Sequence, residues 1–163
     1  LQKTHEIGKG ASLDCDVHHG NGTQDIFLED GTVFYLSTHQ LGIFPFSGMT
    51  EETGVGEGEG STLNFPLPPG TRDEALLDAW EEGLAQVAKF EPDFIIVSAG
   101  FDAEAQDIMA DFEISFEGFK KLTATTRALA DQICGGRLIS ILEGGYDPPT
   151  LAQCIVDHLR ILE

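Results

Sequence analysis

Two short runs of the sequence, residues 93–98 (DFIIVS) and residues 137–142 (RLISIL), have four apolar residues out of six, and these would fall on both faces of a strand. A strand with one solvated face alternates apolar and polar side chains, whereas these two runs require cover on both faces. Strands of that kind occur almost only in parallel sheets that lie between layers of helices. The two runs therefore predict an α/β fold with a parallel central sheet.

Two earlier segments, residues 11–17 and 32–38 (TVFYLST), are short, apolar and rich in β-forming residues. Each is followed by a polar loop, which is typical of a strand that ends at the surface. The sequence thus predicts two further strands in the first quarter of the chain.

Apolar residues recur at helical spacing in three later segments. The first begins with a capping box at residues 71–74 (TRDE) and ends at Pro92. The second covers roughly residues 115–133 and ends at a glycine pair that is typical of a helix C-cap. The third starts after Asp147, with two prolines in its first turn. Its residues expected to point toward the core are Leu151, Ile155 and Leu159.

The composition limits the range of functions. With 163 residues, the chain is expected to form one domain that covers residues 1–163. Its 28 acidic and 9 basic residues give a net charge of −19, which would repel nucleic acid and attract cationic partners. No stretch reaches the roughly 18 apolar residues of a membrane span and nothing resembles a signal peptide, so a cytoplasmic location is expected. The three cysteines lack the spacing of a disulfide framework or a zinc knuckle and are predicted to be buried.

Polar clusters follow each of the four predicted strands: DVHHGNG, STHQ, SAGFDAE and EGGYD. In parallel α/β sheets the carboxyl ends of the strands lie along one edge, where ligands bind. The four clusters are therefore expected to meet and form a site.

Asp16 and His18 are one residue apart, so in an extended segment their side chains project to the same side. Asp102, which follows the strand at residues 93–98, is the best candidate for a third ligand. Two carboxylates and an imidazole suit Zn²⁺ and leave a coordination position open for water or substrate. Taken singly, these residues are also compatible with turn or helix-capping roles, and spacing alone leaves both interpretations open.

Tyr146 follows Gly144 and Gly145 at the end of the last predicted strand. Because glycines let the backbone approach a ligand closely, the phenol could donate a hydrogen bond to a developing oxyanion. The alternative is a tyrosine packed at a strand-to-helix turn. Phe44, in the run FPF, could line an apolar channel or anchor its loop to the core.

The other histidines have less context. His5 and His158 lie outside any motif and are predicted to be surface residues, whereas His19 and His39 are expected to hydrogen-bond within loops. The glycine-rich residues 53–60 (TGVGEGEG) lack the Lys-Ser/Thr ending of a phosphate-binding loop, so they predict a flexible loop.

Together these motifs resemble the zinc-dependent histone deacetylase superfamily, especially its class II-like bacterial members and the acetylpolyamine amidohydrolases. The matching motifs occur in the family's order and at about its spacings, from Gly10 to the end of the chain. They are DCDVHHGNGTQ, STHQ, TGVGEG, NFPLPPGT, SAGFDA and LEGGYD. The resemblance implies the arginase-deacetylase fold, a three-layer architecture with a parallel sheet between helices.

The resemblance also implies roles for individual residues. Asp16, His18 and Asp102 match the family's zinc ligands, and Tyr146 matches the tyrosine that hydrogen-bonds the acyl carbonyl. Asp14 matches a carboxylate that lies behind the ligands. The residues that match the family's structural potassium site are Asp14, Asp16, His18, Ser37 and Thr38.

The activity that the resemblance implies is zinc-dependent hydrolysis of an acyl amide. Phe44 matches an aromatic wall of the family's acyl-lysine tunnel, and Gly144 and Gly145 are the other residues expected to bind the substrate. Zinc polarises the carbonyl and acidifies a bound water, while the tyrosine stabilises the oxyanion. The acidic surface favours a cationic substrate, either an acylated lysine of a protein or an acetylpolyamine.

The sequence departs from the family pattern before its first motif. The family's general acid-base pair is a tandem His-His that precedes DxDxHH, but the thirteen residues before Asp14 contain only His5. The chain is therefore expected to represent the carboxyl-terminal portion of the fold, with an exposed apolar face that a second copy would cover. Two functions remain open: a deacetylase-type amidohydrolase, and a metal-binding remnant that scaffolds or binds acyl-lysine without turnover.

Two smaller departures lie near the expected ligands. Glu104 and Ile108 stand where the family motif has a histidine and a proline, and Phe46 stands where the backbone normally turns tightly. These residues predict an altered pocket rim around an intact set of ligands.

Overall fold

Five parallel strands form one sheet in the order β3-β2-β1-β4-β5, in a computed structural model that describes residues 7–163. The strands are β1 Gly10–Asp14, β2 Val33–Gln40, β3 Thr62–Leu67, β4 Phe94–Ala99 and β5 Leu138–Leu142. The helices are α1 Asn21–Phe27, α2 Asp73–Phe90, α3 Phe116–Cys134 and α4 Pro148–Leu162. Every neighbouring pair of strands is parallel, which confirms the predicted α/β fold. The prediction for His5 lies outside the described residues.

One face of the sheet packs against the long helices and holds the core. Ile95 and Val97 of β4 are 0% and 2% exposed there. Trp80 of α2 is fully buried in the same cluster, and its indole Nε1 donates to Thr126 Oγ1 of α3 at 3.0 Å. Trp80 thereby joins two neighbouring helices, because it fills space between them and also satisfies its polar atom.

The opposite face is more open along β5. Ile139 and Ile141 lie on that face and remain 49% and 48% exposed. An edge strand with exposed apolar side chains agrees with the open face expected from the sequence. The second copy expected to cover it stays a prediction.

The sequence analysis did not predict β3 or α1. β3 contains Pro66, which argues against a central strand, but β3 is an edge strand in which a missing N–H is tolerated. α1 has only seven residues, begins in the glycine-rich segment at Asn21 and lacks a side-chain cap. Neither element has a strong local signal, so both depend on packing against β2.

The predicted capping box of α2 is wrong. Thr71 Oγ1 donates to Pro68 O at 2.7 Å, and the N-cap position belongs to Arg72. Instead, the Asp73 carboxylate accepts from the backbone N and the Oγ of Ser115, which ties the start of α2 to the start of α3. Ser115 in turn caps α3 by accepting from Gly118 N, in agreement with the predicted start of that helix.

α4 begins as predicted, since Asp147 Oδ2 accepts from Thr150 N at its N-terminus. Its inward face agrees with the expected one at Leu151 and Ile155, which are partly buried against the core, but differs from it in the last turns. His158, predicted to lie at the surface, is 7% exposed and sits 2.8 Å from both Thr123 Oγ1 and Ser140 Oγ. Leu159, predicted to point toward the core, is 53% exposed. The inward face is set by Cys154 and His158 at i, i+4 spacing, which turns the next residue outward.

The cysteines agree with the sequence analysis, because Cys15, Cys134 and Cys154 are all buried. Within residues 7–163, no helix combines the length and apolar character needed to cross a membrane.

Candidate metal centre

Asp16, His18 and Asp102 converge at the carboxyl end of the sheet. The Nδ1 atom of His18 lies 3.1 Å from Asp16 Oδ1 and 3.1 Å from Asp102 Oδ2. One ligand-competent atom from each of the three residues lies within 4.8 Å of the others. The structure therefore brings together the three residues that the sequence analysis selected as metal ligands.

The loop after β1 positions two of these side chains. The predicted strand extended through residue 17, but β1 ends at Asp14, so Asp16 and His18 lie in a turn rather than in an extended strand. The Asp14 carboxylate accepts from Asp16 N at 3.1 Å, and Asp16 Oδ1 accepts from His18 N at 2.8 Å. These local bonds compete with the strand ladder and so end it.

Backbone amides from distant segments orient both carboxylates. Val17 N donates to Asp102 Oδ1 at 2.9 Å, and Gly144 N donates to Asp16 Oδ2 at 2.8 Å. Asp102 is only 1% exposed. Backbone amides thus hold one oxygen of Asp102 and both oxygens of Asp16, which restricts the directions in which the carboxylates can bind an ion.

Two glycines leave room for the ligands. A Cβ atom on Gly144 would lie 2.3 Å from Asp102 Oδ2 and 2.5 Å from Asp16 Oδ2. A Cβ atom on Gly100 would lie 2.4 Å from Asp16 Oδ2. The close backbone approach expected at Gly144 therefore serves the ligands, while the similar requirement at Gly100 was missed although Gly100 directly follows β4.

The charges of the centre are strongly coupled. Hydrogen bonds to Asp102 and Asp16 raise the pKa of His18 to about 10. Burial raises the pKa of Asp102, whereas at Asp16 the hydrogen bonds from His18 and Gly144 overcome the effect of burial and lower the pKa. A proton on His18 therefore offsets the charge of one of the two carboxylates, and a bound cation would replace that proton.

The donor set fits zinc. Two carboxylates and one imidazole are ligands that Zn²⁺ accepts, and three protein ligands leave a further position free. The carboxylate-rich surroundings also supply the negative charge that a divalent cation requires.

A second buried carboxylate, Asp14, lies behind the ligands. Its Oδ2 accepts from the Tyr35 hydroxyl at 3.1 Å. Burial, reinforced by the nearby charge of Asp16, raises the pKa of Asp14 to about 8. Ser37 lies beside Asp14 in the sheet register, whereas Thr38 points to the opposite face. Among the described residues, the buried Thr38 Oγ1 has no hydrogen-bond partner. The potassium site expected at Asp14, Asp16, His18, Ser37 and Thr38 stays a prediction.

A pocket of about 440 Å³ opens at the metal centre. Its lining includes Asp16, His18, Phe44, Met109 and Tyr146. The side chains of Phe44 and Tyr146 are 69% and 52% exposed, so both form an open rim rather than part of the core. The Tyr146 backbone N donates to Asp107 Oδ2 at 2.6 Å, which fixes the chain next to the phenol.

The two departures at the rim have structural consequences. Glu104 is 3% exposed, and its carboxylate accepts from Gln106 N at 2.8 Å. Ile108 is 81% exposed. Phe46 adopts a φ of 64°, so the tight turn is kept although a bulky residue occupies it.

A buried polar network, which the sequence analysis missed in part, lies beside the pocket. His19 and His39 make hydrogen bonds as expected, but His39 belongs to β2 rather than to a loop. Burial lowers the pKa of both histidines, and that of His39 falls to about 4. The partners that no sequence signal identified are Gln24, Glu52 and Asn64.

The chain matches the family described as "Histone deacetylase domain" over residues 1–162. It is 46% identical to "Histone deacetylase 10, chloroplastic" from Oryza sativa subsp. japonica, a match that covers 98% of this chain and 36% of that protein. It is 40% identical to "Histone deacetylase-like amidohydrolase" from Pseudomonas aeruginosa, with 92% and 40% covered.

A solved structure, acetylpolyamine aminohydrolase from Burkholderia pseudomallei, matches 96% of this chain and 45% of its own with a TM-score of 0.89 and 30% identity. The likeness confirms the deacetylase-type fold that the sequence implied. The chain spans about two fifths of the length of the proteins it matches.

Proposed function

The chain belongs to the histone deacetylase family, and we propose that it carries the zinc-binding part of an amidohydrolase that cleaves the acyl amide of acylated lysine or acetylpolyamine. The observation that carries this proposal is the convergence of Asp16, His18 and Asp102 at the pocket that also contains Tyr146. The relatives named as a deacetylase and as an amidohydrolase support the reaction class.

Different residues of this chain would have different roles in such a reaction. Asp16, His18 and Asp102 would hold the zinc ion, and the amide of Gly144 keeps Asp16 in position. The chemistry supplied by a bound zinc ion is Lewis acidity, which polarises the carbonyl and lowers the pKa of water. Tyr146 would donate a hydrogen bond to the acyl oxygen as negative charge develops there.

The substrate would enter along the apolar rim. Phe44 and Met109 present large apolar side chains at the pocket, which suits the aliphatic chain of an acyl-lysine or acetylpolyamine. The net charge of −19 favours a substrate with positive charge outside the acyl group. A potassium ion beside Asp14 and Ser37 would compensate buried negative charge behind the zinc ligands.

The test is zinc uptake by the metal-stripped chain, followed by hydrolysis of a fluorogenic acetyl-lysine amide. Asp16→Ala should lose both properties, whereas Glu57→Ala, which removes an exposed carboxylate far along the chain, should keep them. Stoichiometric zinc uptake with turnover supports the amidohydrolase. Zinc uptake without turnover favours a metal-binding module whose catalysis needs groups outside this sequence, and absence of zinc uptake contradicts the proposal.

A further inference from the structure

A closed circuit of hydrogen bonds connects the metal-ligand loop to the loop that carries Phe44. His19 Nδ1 lies 2.8 Å from Ser47 Oγ, and His19 Nε2 lies 3.0 Å from Gln24 Oε1. Gln24 Nε2 donates to Glu52 Oε2 at 2.6 Å. Glu52 Oε1 accepts from Gly48 N at 3.0 Å, and Gly48 follows Ser47 in the chain. We call these five residues the Glu52 circuit.

The charge of Glu52 sets the direction of every bond in the circuit. An ionised carboxylate only accepts hydrogen bonds, so the Gln24 amide must present its NH₂ group to Glu52. The Gln24 carbonyl oxygen then faces His19 Nε2, which must carry the proton of the neutral imidazole. His19 Nδ1 is left as an acceptor, and the Ser47 hydroxyl donates to it.

The structure contains support for this amide orientation. Asn64 Nδ2 donates to the same Gln24 oxygen at 2.7 Å, which requires an acceptor at that point. The Asn64 Oδ1 atom has no hydrogen-bond partner in the described part of the chain. The hydrogen bonds of the circuit therefore have one defined donor-to-acceptor direction, and Asn64 Oδ1 is an additional acceptor beside them.

The loop of Phe44 is anchored by Ile43, which packs against the core, and beyond that residue by the bonds of the circuit. Phe44 and Phe46 are 69% and 76% exposed, so burial of their rings contributes little to holding the loop. Glu52 Oε1 instead accepts from two consecutive loop amides, Gly48 N and Met49 N, at 3.0 and 2.9 Å. A Cβ atom on Gly48 would lie 2.6 Å from the rings of His19 and His39, so the loop backbone lies directly on the circuit.

We propose that Glu52 is a positioning residue that fixes the proton of His19 on Nε2 and holds the Phe44 wall at a set distance from the metal ligands. The role of Phe44 as a wall rests on the proposed function, whereas the protonation of His19 does not. No sequence motif identifies this role, because the partners lie 28 and 4 residues from Glu52 and meet only in the fold.

The decisive variant is Glu52→Gln. Its amide oxygen must serve Gly48 and Met49, so its NH₂ group faces Gln24 and forces the Gln24 amide to turn over. The Gln24 NH₂ group then faces His19 Nε2, and the histidine proton must move to Nδ1. Asn64 can follow by presenting its spare Oδ1, and it then loses the 3.3 Å hydrogen bond from its Nδ2 to Glu52 O. The expected result is an exchange of the protonated and unprotonated ring nitrogens of His19 in ¹⁵N NMR spectra of the metal-free chain.

Glu51→Gln is the matched control, because it removes the same charge from the preceding, exposed residue. It should leave His19 protonated on Nε2. Glu52→Ala should accelerate hydrogen exchange of the Gly48 and Met49 amides by about tenfold or more, since both lose their acceptor.

The proposal is overturned if His19 carries its proton on the same nitrogen in the wild type and in Glu52→Gln, or if the two amides keep their protection in Glu52→Ala. Neither measurement uses zinc or substrate. If the proposed amidohydrolase activity is not found, these two measurements therefore still test the role of Glu52.

Discussion

The carboxyl ends of β1 and β2 bury polar side chains, whereas the open side of β5 exposes apolar ones. Asp14, Ser37 and His39 are all less than 5% exposed, while Ile139 and Ile141 are about half exposed. Buried polar groups cost free energy unless they are hydrogen-bonded, and exposed apolar groups forgo the gain of burial. A typical core buries apolar groups and a typical surface exposes polar ones, so both regions of this sheet are unusual.

The buried polar groups and the exposed apolar groups are stabilised in different ways. At the polar end, nearly every buried polar atom has a partner inside the chain, and His18 makes a hydrogen bond to both Asp16 and Asp102. On the side of β5, the side chains find no such compensation within the described residues, so any stabilisation must come from outside them. The proposed function uses the polar end, and the second copy predicted to cover the apolar side stays a prediction.

The largest expected effect separates the two faces of the sheet. Ile95→Ala removes a fully buried side chain from the helix-covered face and should lower the free energy of unfolding by about 2–5 kcal/mol. Ile141→Ala makes the same chemical change on the neighbouring strand, where the side chain is 48% exposed, and should cost less than about 1 kcal/mol. Urea unfolding of both variants gives the two values.

An equal cost at Ile141 would contradict this comparison. It would mean that the open side is covered in solution, as the predicted second copy requires. In that case light scattering should show a dimer, and the unfolding midpoint should rise with protein concentration.

Much of the fold could be predicted because its signals are local. The runs at residues 93–98 and 137–142 specified β4 and β5, and Ser115 and Asp147 capped α3 and α4 as expected. β3 carries a proline that only an edge position tolerates, and an edge position is a property of the whole sheet. The orientation of α4 likewise depended on His158 finding partners on α3 and β5, which the spacing of apolar residues does not reveal.

The candidate site likewise has residues that could be predicted from the sequence and contacts that could not. Asp16, His18 and Asp102 could be selected because parallel strands deliver their carboxyl ends to one edge. The amides that orient them come from Val17 and Gly144, and the latter lies 128 residues from the carboxylate it holds. Such contacts follow from packing and have no sequence signature of their own.

The stability of the polar end should depend on pH through His39. His39 is 1% exposed, and burial, with a smaller effect from His19, lowers its pKa to about 4. The unfolded histidine keeps a pKa of about 6.5, so between these values the unfolded chain binds the proton first. The stabilisation from neutral His39 is present above pH 6.5 and is lost as the pH falls toward 4. From pH 7.5 to 5 the loss should be about 2 kcal/mol.

His39→Gln measures this contribution, because glutamine can hydrogen-bond but does not titrate in this range. The groups that face His39 are His19, Glu52, the Ser37 hydroxyl and the Gly48 carbonyl, and they remain in the variant. Urea unfolding at both pH values should therefore show a smaller loss of stability in the variant than in the wild type. An identical pH dependence would show that His39 is not the group that titrates.

The smallest expected effect tests backbone strain at the pocket rim. Phe46 is 76% exposed, so burial of its ring contributes little to stability. Its φ of 64° lies in the left-handed region, which is unfavourable for a residue with a side chain. Phe46→Gly should relieve that strain, but glycine also gains freedom in the unfolded chain, which leaves a net stabilisation of no more than about 1 kcal/mol. Glu91→Gly is the matched control, since Glu91 has a φ of 55° at the end of α2, in a helix cap. Equal gains in urea unfolding would mean that the rim stores only ordinary strain, whereas a loss of stability at Phe46 alone would mean that its ring packs against something in solution.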